Sequence, residues 1–318
     1  MKFNDIINAE RNIKSIIRPT FLIKTNLGDG YNLYIEPENL QTTGSFKVRG
    51  AFNKMSKLTD EQKSKGVIAC SSGNHAQGVA LAAKMMGIKA TICMPASAPK
   101  IKVEATKGFG AEVVLVDGVY DDAYTKALQL QEEYGYTFVH PYNDEDIIAG
   151  QGTIGYEIMQ ELPDVDAIVS AVGGGGLTAG IGYAVKSLNP NVKVYGVQSE
   201  CAPGMYASFA NGYVTRLSSA KTIADGIAVK EVGNITLDYT KKYVDDILTV
   251  SELEILDAIK KIMSKEKLIA EGAGAAPVAA ALNKYVPEAK DNKNVVCVVS
   301  GGNIDIDTLS KIVLNGLE

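Results

Sequence analysis

The chain has 318 residues, 46% of them apolar and 22% charged, with a formal net charge of -5. That length suits one large domain or two moderate ones around a buried cleft, and the composition excludes disorder as a description of the whole. The acidic balance, with scattered lysines, leaves no footprint for nucleic acid, and 2 histidines leave little for a histidine-rich metal centre or a Ser-His-Asp hydrolase.

In chain order, Met1 to Ile6 lacks the apolar core of a signal peptide. No apolar run reaches the roughly 18 residues that span a bilayer, so a cytoplasmic protein without membrane contact is expected. Thr59 with Gln62 marks a capped helix start, as does Ser251 with Glu254. Between and beyond them, short β-rich runs alternate with helical patterns: Val67 to Cys70, Ala90 to Met94, Glu112 to Val116, Thr137 to His140, Ala167 to Val172, Lys193 to Val197, Asp246 to Val250 and Val295 to Val299. Such alternation predicts βαβ units, and runs that are apolar on both faces predict parallel sheets covered by helices on each side. The first four strands end near Pro141, a loop is expected from Tyr142 to Gly152, and a second set follows, so two sheets would place a cleft between them. One helix is expected after residue 303, with no room for an appended regulatory domain. Cys70, Cys93, Cys201 and Cys297 lie far apart, three of them in or beside apolar runs, which points to buried thiols over disulfides or a zinc site.

Four segments carry chemistry. Gly173-Gly174-Gly175-Gly176-Leu177 follows a strand and opens a helix, where converging backbone amides and the helix dipole suit a phosphate. The same stretch also fits a dinucleotide fingerprint, with Gly174, Gly176 and Ala179 followed by Glu200, so an NAD-dependent dehydrogenase is a rival reading. Ser45-Phe46-Lys47-Val48-Arg49-Gly50-Ala51 sets one lysine in a tight context, and lysine forms a Schiff base with an aldehyde cofactor once its ammonium loses a proton. Ser71-Ser72-Gly73-Asn74-His75, between a strand and a helix, can hold a carboxylate, and Ser300-Gly301-Gly302-Asn303 again follows a buried strand. Ligands of parallel sheets gather at such carboxyl ends.

In this order and spacing, these segments resemble the threonine ammonia-lyase (threonine dehydratase) and serine racemase family of fold-type II pyridoxal-phosphate enzymes. Ile148-Ala149-Gly150-Gln151-Gly152-Thr153-Ile154 and Ala224-Asp225-Gly226-Ile227-Ala228-Val229-Lys230 agree, so the resemblance covers almost the whole chain. It implies an α/β protein with two open parallel-sheet domains of the tryptophan synthase β-like architecture: a discontinuous large domain, 1-59 and 144-318, and a small domain, 60-143. It implies pyridoxal 5'-phosphate bound through Lys47, with Phe46 beside the ring, Asn74 at its phenolic oxygen, Gly173 to Leu177 at the phosphate and Ser300 at the pyridine nitrogen. A neutral serine there makes the ring a weaker electron sink than an aspartate would, which favours elimination over transamination. A homo-oligomer, dimer or tetramer, is also expected.

The resemblance further implies a small amino-acid substrate whose carboxylate is surrounded by Ser71, Asn74 and His75, with Lys47 as general base at Cα. Deamination of L-threonine or L-serine to 2-oxobutyrate or pyruvate plus ammonia is the leading expectation. The alternative is a serine racemase with side dehydratase activity, because Ser72 stands where many threonine ammonia-lyases have alanine and could deliver a proton to the opposite face. Ala228 and Val229 look like the ammonia-lyase form of their segment. Glu200 resembles a cation-binding glutamate of the family, with the Gly204 carbonyl as co-ligand, but Tyr206 replaces a second carboxylate, so a monovalent ion or a surface salt bridge fits as well as a divalent one. A non-catalytic ligand-binding protein is the remaining alternative.

Overall fold

The computed structural model describes residues 1–314. Among the described residues, ten strands form two sheets: β1 (Ile23–Lys24), β2 (Asn32–Glu36), β3 (Val67–Cys70), β4 (Ala90–Pro95), β5 (Glu112–Val116), β6 (Thr137–Phe138), β7 (Ala167–Ala171), β8 (Lys193–Ser199), β9 (Asp246–Val250) and β10 (Asn294–Val298). The larger sheet has the order β1-β2-β10-β7-β8-β9 and the smaller β5-β4-β3-β6. All pairs are parallel except β1 with β2. The chain is thus an α/β protein of two domains, with one antiparallel edge strand that the sequence reading did not anticipate.

Helices cover both faces of each sheet, and side-chain alternation feeds a core on either side. Val295, Cys297 and Val299 enter one core of the large sheet while Val296 and Val298 enter the other. In the small sheet, Val67 and Ala69 face one core while Ile68 and Cys70 face the other. With apolar demand on both faces, these strands read as continuous apolar runs. Cys70, Cys93 and Cys297 are buried and Cys201 exposed, all as free thiols. Both expected capping boxes are present, Thr59 with Gln62 and Ser251 with Glu254. Among the described residues, no helix is long and apolar enough to cross a membrane.

The expected loop from Tyr142 to Gly152 is mostly helix, because Asp144 caps a helix over Glu145–Glu161 by accepting from the N–H groups of Asp146 and Ile147. Its glycines serve packing. A Cβ on Gly150 would meet the Gly50 Cα at 2.6 Å, and one on Gly152 would meet the Gly180 carbonyl oxygen at 2.8 Å. This helix therefore lies close against both the Lys47–Ser56 helix and the Gly176–Leu188 helix. Those two helices begin at the lysine and at the glycine turn, so their close packing sets the spacing of the site.

Candidate active site

A cavity of about 670 Å³ opens between the sheets at the carboxyl ends of β3, β7 and β10, lined by Lys47, Ser72, Asn74, Gly174 and Ser300 among others. Phe46, Ser71, His75, Gly173, Gly175, Gly176 and Leu177 line it too, so this one cavity gathers every catalytic, cofactor and substrate residue expected from the sequence. Ser300 is buried just beyond β10, and its carbonyl accepts from the Phe46 N–H at 3.1 Å. Ser45 and Gly301 bridge alongside. The start of the lysine helix is thereby tied to the end of a central strand.

Lys47 Nζ donates to the Pro141 carbonyl at 2.9 Å and stands 5.3 Å from the Phe46 ring centroid. No carboxylate forms an ion pair with it among the described residues. Burial lowers its pKa to about 8, partly opposed by the Glu271 charge. An amine in that range is available as a nucleophile or base near neutral pH.

Around the glycine turn, the N–H groups of residues 173 to 177 donate to no protein acceptor among the described residues. Gly175 adopts φ +100°, and a Cβ there would strike Met205 at 2.5 Å and Thr236 at 2.8 Å. Five free amides at the start of a helix are a donor set for an anion such as phosphate. The residues present therefore fit a phosphorylated aldehyde, with a low-pKa amine at one end of the cavity and an anion cradle at the other.

At the end of β3, Ser71, Ser72 and Asn74 are half-buried. The N–H groups of Asn74, His75 and Ala76 also donate to no protein acceptor among the described residues, which suits a carboxylate. His75 Nε2 lies 2.8 Å from the Val139 carbonyl. Burial, then the Lys47 charge, pushes its pKa down to about 3, so it is neutral.

Three residues that shape the site were given no role of their own from the sequence, although Asn303 ends the Ser300–Asn303 segment. Glu271 is buried at the start of the Gly272–Leu282 helix, where its Oε1 accepts from Asn74 Nδ2 at 2.6 Å. Burial lifts its pKa to about 7, with the Asp225 charge adding to the rise. Asn303 Nδ2 donates to Asn74 Oδ1 at 2.7 Å and to the Thr43 carbonyl at 2.8 Å, so the Asn74 amide is held from both ends. A signal was present for Glu271, the one acid leading into an uncharged apolar helix. Tyr142 fills the space beside Gly174, where a Cβ would come within 2.3 Å of its ring.

The mouth of the cavity is bridged by Lys102 with Asp225 and by Arg216, which reaches Asp121 at 3.2 Å and Glu231 at 2.9 Å. Glu200 lies outside the cavity, exposed at the end of β8, and the Gly204 carbonyl already accepts from Ser208 Oγ at 2.6 Å. Among the described residues, no group of three or more His, Cys, Asp or Glu side chains is placed to hold a metal ion.

The chain matches the family described as pyridoxal-phosphate dependent enzyme over residues 13–301. It belongs to that family. Within it, the chain is a fold-type II member of the threonine ammonia-lyase family, closely related to the serine racemases. It is 50% identical over 316 residues to the L-threonine ammonia-lyase of Thermotoga maritima, covering 98% of this chain and 78% of that one. Its identity to the catabolic L-threonine dehydratase of Escherichia coli is 46% over 312 residues, covering 97% and 95%. The processed form of threonine deaminase isoform 2 from Solanum lycopersicum superposes with a TM-score of 0.94 at 38% identity, covering 98% and 87%. Maize serine racemase superposes with a TM-score of 0.93 at 34% identity, covering 99% and 98%. The family membership removes the dehydrogenase reading of the glycine turn.

Proposed function

We propose that this chain deaminates L-threonine or L-serine to a 2-oxo acid and ammonia, with pyridoxal phosphate held by Lys47, Phe46, Asn74, Gly173 to Leu177 and Ser300. The observation that carries this reading is the arrangement of Lys47, a half-buried amine of lowered pKa without a carboxylate partner, in one cavity with the free amides of residues 173 to 177. The cofactor supplies an aldehyde that condenses with amines and a ring that takes up the electron pair left when Cα loses its proton. Lys47 then holds and moves that proton at Nζ. Ser71, Asn74, His75 and Ser72 bind and orient the substrate carboxylate, and the cross-cavity pairs at the mouth restrict access of water. In this reading the small domain spans 60-143, and its β3 end carries the substrate side of the site. A cation at Glu200 and Gly204 would lie outside the catalytic cavity.

Attachment of pyridoxal phosphate to the apoprotein provides a first test. Only the free base attacks an aldehyde, and in the folded protein that form of Lys47 predominates above about pH 8. The attachment rate, followed by visible absorption, should rise about tenfold per pH unit below that point and then level off. A rate still climbing toward pH 10 would show an ordinary exposed lysine instead.

The choice between elimination and racemisation turns on Ser72. Elimination requires a base on one face of Cα, whereas racemisation also needs proton delivery on the other. Ser72 lines the cavity, and its weakly acidic hydroxyl could serve there only with its alkoxide stabilised by neighbouring donors or the cofactor phosphate, whereas elimination needs Lys47 alone. Wild type should yield mainly 2-oxo acid with at most minor D-serine, and Ser72→Ala should retain most 2-oxo acid formation while losing that D-serine. Chiral chromatography of products from L-serine checks this. D-serine outpacing pyruvate, and abolished by Ser72→Ala, would make the chain a racemase.

A further inference from the structure

We propose that His140 donates a hydrogen bond from Nε2 to the departing side-chain oxygen of the substrate, and so selects hydroxy amino acids for elimination. This inference rests on the elimination reading above. His140 lies two residues past β6, lines the cavity, and immediately precedes Pro141, whose carbonyl receives Lys47 Nζ at 2.9 Å. The imidazole is therefore placed beside the amine that would take the Cα proton.

Its proton position is set by the backbone. The N–H groups of Tyr142 and Asn143 both donate to His140 Nδ1, at 3.2 and 2.9 Å. A nitrogen that accepts two N–H bonds is unprotonated, so the single hydrogen of the neutral ring is on Nε2. Burial, then the nearby Lys47 charge, lowers the His140 pKa to about 4, and the ring stays neutral through the physiological range. Nε2 has no hydrogen-bond partner among the described residues, although the ring lines the cavity. The ring is half-buried, so this N–H is a donor available to a ligand in the cavity.

The neighbouring residue makes the contrast. The Val139 carbonyl takes the Nε2–H of His75, leaving that ring with an acceptor at Nδ1. Both rings thus carry their hydrogen on Nε2, but His75 commits it to the Val139 carbonyl while His140 keeps its N–H free, next to Lys47. The His140 ring cannot swing away easily, because it packs edge-on against Tyr142 at 4.7 Å and 87°. Tyr142 in turn is wedged beside Gly174 of the anion cradle.

The chemistry balances without an outside acid. Lys47 takes the proton from Cα, the electron pair left there forms the Cα=Cβ bond as the Cβ–O bond breaks with its own pair remaining on oxygen, and the proton held by Lys47 then converts that hydroxide to water. A neutral imidazole is too weak an acid to surrender its own proton here, but its N–H can stabilise the oxygen while negative charge develops. A substrate whose leaving group departs as a stable anion does not need this bond.

The test compares L-serine with β-chloro-L-alanine on holoenzyme, using His140→Leu and His140→Ala. For either variant, kcat/KM on L-serine should fall about 100-fold, the scale for removing one donor to a developing oxyanion. Loss on β-chloro-L-alanine should stay below about threefold, with the visible cofactor band unchanged. Any general distortion from releasing the two backbone N–H groups would lower both substrates alike, so the ratio isolates the leaving-group bond. Equal losses on both substrates, or none on L-serine, would overturn the proposal. Failure of wild type to form 2-oxo acid from either substrate would instead overturn the elimination reading, and shows in the control before any variant is compared. If one variant does not accumulate as folded holoenzyme, the other gives the same comparison.

Discussion

Replacing Lys47 by alanine should abolish the visible band of covalently attached cofactor and lower 2-oxo acid formation by about a thousandfold or more, since general base catalysis alone contributes roughly 10² to 10⁴. The expectation follows from position and charge state together. Nζ stands against the Phe46 ring and the Pro141 carbonyl, and burial brings its pKa to about 8. Lys47→Arg should be as inactive, because guanidinium keeps its charge throughout the accessible pH range and cannot act as nucleophile or base. Methylamine added to Lys47→Ala should restore part of the lost rate by supplying a small amine. An alanine variant that kept the band and the rate would place the cofactor on another lysine.

The largest stability effect should come from Arg49, two residues further along the same helix. Its five N–H donors are all engaged: Nε and Nη2 with Glu38 at 2.8 and 2.7 Å, Nη1 with Thr153 at 2.9 Å, and Nη1 and Nη2 with Glu157 at 2.7 and 2.8 Å. Arg49 and Glu38 are both fully buried. Arg49→Met would strand the Glu38 carboxylate, so a loss of about 3–5 kcal/mol is expected in urea unfolding. Arg49→Lys should recover little, since one ammonium cannot match the bidentate fork. Adding Glu38→Gln to Arg49→Met should recover a substantial part by removing the stranded charge.

Nearby Glu36 has its pKa raised to about 8 by burial and then by the Glu38 charge, with Thr20 donating to it at 2.6 Å. It holds its proton in the folded protein while the unfolded chain ionises in the ordinary carboxylate range. Its contribution is therefore full at low pH and is lost as pH rises through about 8.

By itself, the sequence determined the short buried strands, the capped helix starts and the four loops at the carboxyl ends of β3, β7 and β10 and before the Lys47–Ser56 helix. Those features are local. A strand covered on both faces must be apolar throughout, and a turn that offers amides to an anion must keep side chains away. Tertiary structure decided the rest. Ile23–Lys24 is too short to carry a period, and β1 and β2 become strands by pairing with each other while β2 also pairs with β10. The glycines at 150 and 152 read equally as loop or as close helix contact until Gly50 and Gly180 stand opposite them. Glu271 reaches Asn74 across 197 positions of sequence. The His140 proton is placed by the backbone of the two residues after Pro141, and only the fold puts that ring beside Lys47. Spacing along a chain reports which groups are present, but partners distant in sequence set the charge and orientation of each, because both depend on burial and on the hydrogen bonds available in three dimensions.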